Sequence, residues 1–98
     1  MVTYIHPINN LTDLRESVNA TLCEIFQLQL GVFPMSEKAL NRAGKPCGIY
    51  FCLHGPRAVR FTAIWETERN QILFYGPSGE RVLKCQWIDE PQMERAAA

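Results

Sequence analysis

Hydrophobic residues in the first third of the chain recur at steps of three and four. They are Leu11, Leu14, Val18, Leu22, Ile25, Phe26 and Leu30. This spacing is typical of an α-helix that buries one stripe of its surface. Asn10 is a favourable N-cap directly before the stripe, and Gly31 followed by Pro34 is typical of a helix end. The pattern predicts one long helix over Leu11–Leu30.

From Gly48 onward the hydrophobic period changes to two, which is typical of β-strands. The alternating segments are 48–54, 59–66, 72–76 and 81–88, with Gly, Pro and Asn residues between them. Connections this short join antiparallel neighbours, so the strand order is predicted to be sequential. The predicted fold class is therefore α+β, with one long N-terminal helix packed on a four-stranded antiparallel β-meander.

Three further segments complete the predicted organisation. Residues 2–5 have β character and are interpreted as a short N-terminal edge strand that Pro7 ends. Residues 35–46 are interpreted as a connector, in which Ser36 to Gly44 fits two turns of helix. Residues 92–98 are interpreted as a frayed tail. The whole chain, 1–98, is expected to be a single domain, because no linker or repeat divides it.

The alternation divides the strand residues between two sides of the sheet. The side expected to face the helix carries Ile49, Phe51, Leu53, Val59, Phe61, Ala63, Trp65, Ile72, Phe74, Leu83, Cys85 and Trp87. The opposite side, here called the second face, carries Tyr50, Cys52, His54, Arg60, Thr62, Ile64, Leu73, Tyr75, Val82, Lys84 and Gln86. The register of 72–76 stays open at this point, because both of its sides are apolar.

The second face is half apolar and aromatic, whereas the solvent side of an antiparallel sheet is mostly polar. Three alternatives remain for what buries the second face: a protein partner or second copy, the connector and termini of the chain itself, or a ligand in a cleft. Aromatic residues mixed with arginine are typical of protein interfaces, which favours the first. We therefore expect a non-enzymatic protein-interaction domain that forms a homodimer or binds a protein partner. The expected contact residues are Tyr50, His54, Arg60, Ile64 and Tyr75.

Composition and charge narrow the choice of partner. The chain is 47% hydrophobic and 20% charged with a formal net charge of zero, which disfavours a sequence-indifferent nucleic-acid binder. The charges are uneven, because residues 37–60 hold five cations and one anion. The alternative function is therefore a nucleic-acid or anionic-ligand binding module that uses the 38–60 basic segment and the aromatic residues of the second face.

Cysteine and histidine side chains are the candidates for a metal or catalytic site. Cys47, Cys52 and His54 are metal-ligand types, but a fourth ligand would have to come from Cys85 or another distant residue, and the two close pairs of a structural zinc site are lacking. Cys52 and His54, two residues apart on one strand, are too widely spaced for direct proton transfer. We assign no metal, no cofactor and no catalytic residues.

No targeting or membrane-spanning segment is recognised in the sequence. The first residues lack the charged and apolar stretches of a signal peptide. No run approaches the roughly 20 apolar residues needed to cross a bilayer. Cytoplasmic localisation is therefore expected, with the four cysteines reduced and no contact with a membrane.

Overall fold

A computed structural model describes residues 2–3 and 10–86 of the chain. Its elements are β1 (Val2–Thr3), α1 (Leu11–Phe26), β2 (Met35–Arg42), β3 (Lys45–His54), a 3-10 helix (Pro56–Ala58), β4 (Arg60–Glu66), β5 (Gln71–Tyr75) and β6 (Arg81–Gln86). The sheet is antiparallel from β2 to β6, and the α+β class with one helix is therefore confirmed. Trp87, the end of the predicted last strand and the predicted tail 92–98 lie outside the described residues, as do residues 4–5 of the predicted edge strand.

The strands form one sheet in the order β1-β6-β5-β4-β3-β2. Strands β2 to β6 are a meander of antiparallel neighbours in chain order, as predicted. The predicted number of strands was wrong, because five strands rather than four make up this antiparallel part. β1 is the predicted N-terminal strand, and it pairs in parallel with β6 through Val2 and Thr3.

The additional strand, β2, comes from the segment that was predicted to be a connector with two helical turns. Ala43 (φ 54°) and Gly44 (φ 80°) form a two-residue turn that returns the chain as a hairpin. Positive φ at both positions is what the favoured hairpin turn requires. A short helix here would bury little more than Leu40, whereas β2 gains a ladder of hydrogen bonds to β3, which explains the difference.

Helix α1 begins as predicted and ends earlier. The Asn10 side chain caps it by accepting a hydrogen bond from the backbone N–H of Asp13 at 2.8 Å.

The predicted end at Gly31 was wrong, because Gln27 (φ 56°) adopts the left-handed conformation that closes the helix. The backbone N–H of Leu28 then donates to the Cys23 carbonyl at 2.8 Å, and Leu28 packs against the core. A hydrophobic contact just past the end is typical of this helix termination and outweighs the preference for glycine.

The core lies between α1 and one side of the sheet. Leu14, Val18 and Leu22 of the helix are at most 1% exposed, and they pack with Phe51 and Phe74. Every described residue that was assigned to the helix side is either in this core or packed against it. The register of β5 is thereby resolved, since its Ile72 and Phe74 side chains face the helix.

An ion pair joins the exposed part of α1 to β2. The Arg15 guanidinium donates to both carboxylate oxygens of Glu37, at 2.6 and 2.9 Å. These hydrogen bonds lower the pKa of the Glu37 carboxyl from its ordinary value.

No helix in the described part of the chain is long and apolar enough to cross a membrane.

The two sides of the sheet are distinguished by one pair of identical substitutions. Ile72→Ala is expected to lower the free energy of unfolding by about 2–5 kcal/mol, because this side chain is fully buried against the helix. Ile64→Ala is expected to cost less than about 2 kcal/mol, because Ile64 is half-buried on the second face. Urea unfolding followed by circular dichroism measures both losses. Equal losses would contradict the assignment of the two sides.

The ion pair between Arg15 and Glu37 predicts a pH dependence of stability. The folded-state pKa of Glu37 is the lower one, so its contribution is complete above the ordinary glutamate pKa and is lost as the pH falls through the folded-state value. Glu37→Gln is therefore expected to be less stable than the parent chain at about pH 7 and equal to it at about pH 2. Urea unfolding at both pH values measures this. A difference of the same size at both would show that the ion pair does not stabilise the fold.

Candidate functional site

The second face is organised in rows, because residues opposite one another on neighbouring antiparallel strands point to the same side. Its central row crosses all five antiparallel strands. It consists of Lys38, Tyr50, Ile64, Leu73 and Lys84. An aromatic and two aliphatic side chains are thus held side by side, with a lysine at each end of the row.

The adjacent row is shorter and more polar. It consists of Ser36, Cys52, Thr62 and Tyr75. Cys52 and Leu73, at the middle of the two rows, are 6% and 7% exposed, whereas Tyr50 and Tyr75 keep part of their surface accessible. A ligand that approaches this face therefore contacts the two tyrosine rings before it contacts the buried Cys52 and Leu73 side chains.

The structure brings all five sequence-predicted contact residues onto the second face. Tyr50 is directly opposite Ile64, and His54 is directly opposite Arg60. Tyr75 is opposite Thr62, the residue that lies between Arg60 and Ile64 on this face of β4. His54 and Arg60 are exposed, and the other three are half-buried. Their role as contact residues remains a prediction.

Two hydrogen bonds fix polar side chains at opposite ends of the second face. Ser36 Oγ and His54 Nε2 are 3.0 Å apart, which joins β2 to the end of β3. At the other end, Gln71 Nε2 donates to Glu66 Oε1 at 2.7 Å, and Gln71 is only 5% exposed. This hydrogen bond fixes the position of the Glu66 carboxylate through one of its two oxygens.

Positive charge predominates on the second face. Between the register shifts of β2 and β6, its charged strand residues are Lys38, Arg60, Lys84 and Glu66. Three cations thus surround the tyrosines and Ile64, and the one carboxylate is hydrogen-bonded to Gln71. This arrangement favours a ligand that combines apolar or aromatic groups with negative charge.

Gly48 marks a close approach of two strands at one end of the second face. It lies between Leu40 on β2 and Glu66 on β4, and a Cβ atom at this position would overlap the backbone carbonyl oxygen of Trp65. A cavity of about 290 Å³ opens there, with Leu40, Ile64 and Glu66 among its lining residues. Close approach of two backbones therefore requires glycine here.

Among the described residues, cysteine side chains lie on both sides of the sheet. Cys52 and His54 belong to the second face, whereas Cys85 and Cys23 are buried in the core on the helix side. Burial raises the pKa of the Cys85 thiol. Within residues 2–3 and 10–86, no group of three or more His, Cys, Asp or Glu side chains is placed to hold a metal ion.

Sequence reasoning missed the contribution of β2 to this face. Ser36, Lys38 and Leu40 extend the second face by one strand, and they were assigned to a connector. The available signal was Gly44 alone, because glycine favours the positive φ of a hairpin turn, whereas alanine at position 43 does not. Neither side of β2 is consistently apolar, so the period-two pattern alone does not reveal the strand.

Comparisons with known proteins give no relative from which a function is transferable. No protein-family model, no curated protein and no solved structure matches the chain. The chemistry of the second face is therefore the basis for a functional proposal.

Gly48→Ala tests the close approach of β3 to β4 at this position. We expect the free energy of unfolding to fall by about 1–3 kcal/mol, because β3 and β4 must separate locally to admit the methyl group. Urea unfolding measures the loss. Amide exchange should be faster at Trp65 and Glu66 than in the parent chain. An unchanged stability would show that the backbones at this point are not closely apposed.

Proposed function

We propose that this chain is a non-enzymatic protein-interaction domain whose second face binds a segment of a partner protein. The observation that carries the proposal is the central row, in which Tyr50, Ile64 and Leu73 lie between Lys38 and Lys84. Tyrosine and aliphatic side chains supply apolar contact, and the surrounding cations fix the orientation of a negatively charged partner. The partner segment therefore combines carboxylates with aromatic or aliphatic side chains.

The charge of the second face favours a different protein over a second copy of this chain. Two copies packed through the same face would bring the same three cations, Lys38, Arg60 and Lys84, close to each other. Like charges at an interface oppose association, and cations outnumber carboxylates by three to one among these strand residues. An acidic partner removes this repulsion.

Single-stranded nucleic acid is the second candidate ligand. Tyr50 and Tyr75 are partly accessible on the face that carries the three cations, and such faces stack bases while their cations contact phosphates. The zero net charge of the whole chain favours the protein partner, because binding to phosphates draws on an excess of lysine and arginine.

Titration of the full chain with three probes tests the proposal. The probes are a peptide of four Glu-Phe repeats, its Lys-Phe counterpart and a twelve-nucleotide oligothymidylate. We expect the Glu-Phe peptide to bind and the Lys-Phe peptide to bind more weakly. The double substitution Arg60→Glu and Lys84→Glu is expected to weaken the Glu-Phe peptide about tenfold, because two attractive contacts become repulsive.

Arg57→Glu is the matched control, because it also replaces an exposed cation by a carboxylate and Arg57 lies in the 3-10 helix, outside both rows. It is expected to leave the affinity unchanged. Stronger binding of the oligonucleotide than of either peptide would replace the proposal with nucleic-acid binding. A dimer mass in light scattering that Arg60→Glu converts to a monomer mass would replace it with self-association. Equal binding of the two peptides would overturn the role of charge.

A further inference from the structure

The outer edge of β2 presents backbone groups that pair with no other strand of residues 2–3 and 10–86. β2 is the last strand in the sheet order, and among the described residues β3 is its only strand neighbour. The His54 N–H donates to the Pro34 carbonyl at 2.9 Å, which identifies residues 34 and 54 as a hydrogen-bonded pair. Such pairs alternate along an antiparallel ladder. The N–H and C=O groups of Met35, Glu37 and Ala39 therefore point away from β3.

The two sides of this edge have different chemistry. On the helix side, an open groove of about 550 Å³ lies between α1 and the segment before β2, with Ala20, Leu30 and Met35 among its lining residues. Leu30 is 63% exposed, the largest exposure among the large hydrophobic residues that the structure describes. On the opposite side, Lys38 is exposed at the end of the central row of the second face.

We propose that β2 binds an extended segment of another polypeptide by antiparallel strand addition. Its backbone pairs with the outward N–H and C=O groups of β2, which only an extended polypeptide complements at this spacing. The segment places a carboxylate opposite Lys38 and, three residues later, an apolar side chain opposite Met35. The apolar side chain lies on the helix side, where it enters the groove.

On the added strand, a charged residue affects binding more at the position opposite Lys38 than at the position opposite Glu37. The position opposite Lys38 is a non-hydrogen-bonded pair on the new ladder, in which the Cα atoms are about 4.5 Å apart and side chains are closest. Glu37, by contrast, is already paired with Arg15, so the residue opposite it is neutral. A carboxylate opposite Lys38 is therefore the charge that this edge selects.

A second copy of this chain is a poorer occupant of the same edge. A register shift after Leu40 limits regular pairing to residues 35–40. Directly opposite residues must point to the same side, so the two fullest self-pairings place Glu37 opposite Glu37 or Lys38 opposite Lys38. The register centred on Lys38 places like charges opposite one another, and the register centred on Glu37 places Ser36 opposite Lys38. Neither register supplies the carboxylate that Lys38 selects.

This edge goes beyond the proposed function, because it uses backbone groups and the groove rather than the tyrosines of the second face. Lys38 contributes to both surfaces. The variants that test the edge therefore act mainly at Ala39, whereas those that test the second face act at Arg60 and Lys84. If the proposal for one surface is overturned, the proposal for the other is still tested by its own variants.

The probe is the capped peptide acetyl-Thr-Thr-Glu-Thr-Thr-Leu-Thr-amide, titrated into the isotope-labelled full chain. We expect slower amide exchange at Met35, Glu37 and Ala39 and little change along β4 and β5. Lys38→Glu is expected to lower the affinity for this peptide about three- to fivefold. It is expected to raise the affinity for a peptide with Lys in place of Glu by a similar factor.

Ala39→Pro removes one outward N–H without removing a hydrogen bond to β3, and proline is tolerated at such edge positions. It is expected to lower the affinity for the peptide about tenfold. Ala39→Val keeps the N–H and is the matched control, with affinity near that of the parent chain. Thermal unfolding of both variants verifies that they are folded.

Three outcomes would overturn the edge proposal. The first is no change in exchange at the three outward amides at millimolar peptide, roughly the weakest affinity class for a specific contact. The second is protection of β4 and β5 instead, which would transfer this peptide to the second face. The third is a dimer mass without peptide that Ala39→Pro converts to a monomer mass, which would make a second copy the occupant.

Discussion

The pairing of β3 with β4 determines which side chains meet the helix and which do not. It runs without a register shift from Gly48 opposite Glu66 to His54 opposite Arg60. These two strands lie near the middle of the antiparallel sheet, and both contact α1. A slip of β3 by one residue would exchange Phe51 with Tyr50 on the two sides, so that the core would lose one of its two largest fully buried side chains. Gly48 adds to this constraint, because any other residue at that point would push the strands apart.

The rest of the molecule follows from having one helix for a sheet with two sides. α1 covers the side that carries Phe51 and Phe74, and these residues are nearly inaccessible. The opposite side retains partly accessible tyrosines beside buried Cys52 and Leu73. The charges follow the same division. On the helix side Glu37 is neutralised by Arg15, whereas on the second face cations outnumber carboxylates.

The sequence predicted the features that depend on long, regular patterns. The helix stripe, its Asn10 cap and the two sides of β3 to β6 follow directly from periods of 3.6 and two, because burial enforces those periods over many residues. The five predicted residues of the second face were placed together for the same reason. Whether they bind a partner is not encoded in periodicity, since an apolar pattern describes a surface and not its ligand.

The features that the sequence did not predict depend on local competition. Gln27 ends the helix ahead of Gly31, because Leu28 gains contact with the core only if the chain turns there. β2 is an edge strand that buries little, so Lys38 and its neighbours have no period to preserve. Its existence depends on the Ala43-Gly44 turn and on backbone pairing with β3, neither of which contributes to a hydrophobic pattern.

The two ends of the sheet are not equivalent, and this has a consequence for behaviour at high protein concentration. At one end β2 is open over several residues, whereas at the other end β6 is followed by β1, a strand of two residues. Growth of a filament by repeated strand addition needs a usable edge at both ends of every subunit. Among the described residues, the two ends of the sheet therefore offer edges of different length, and this asymmetry disfavours end-to-end stacking of sheets into a filament.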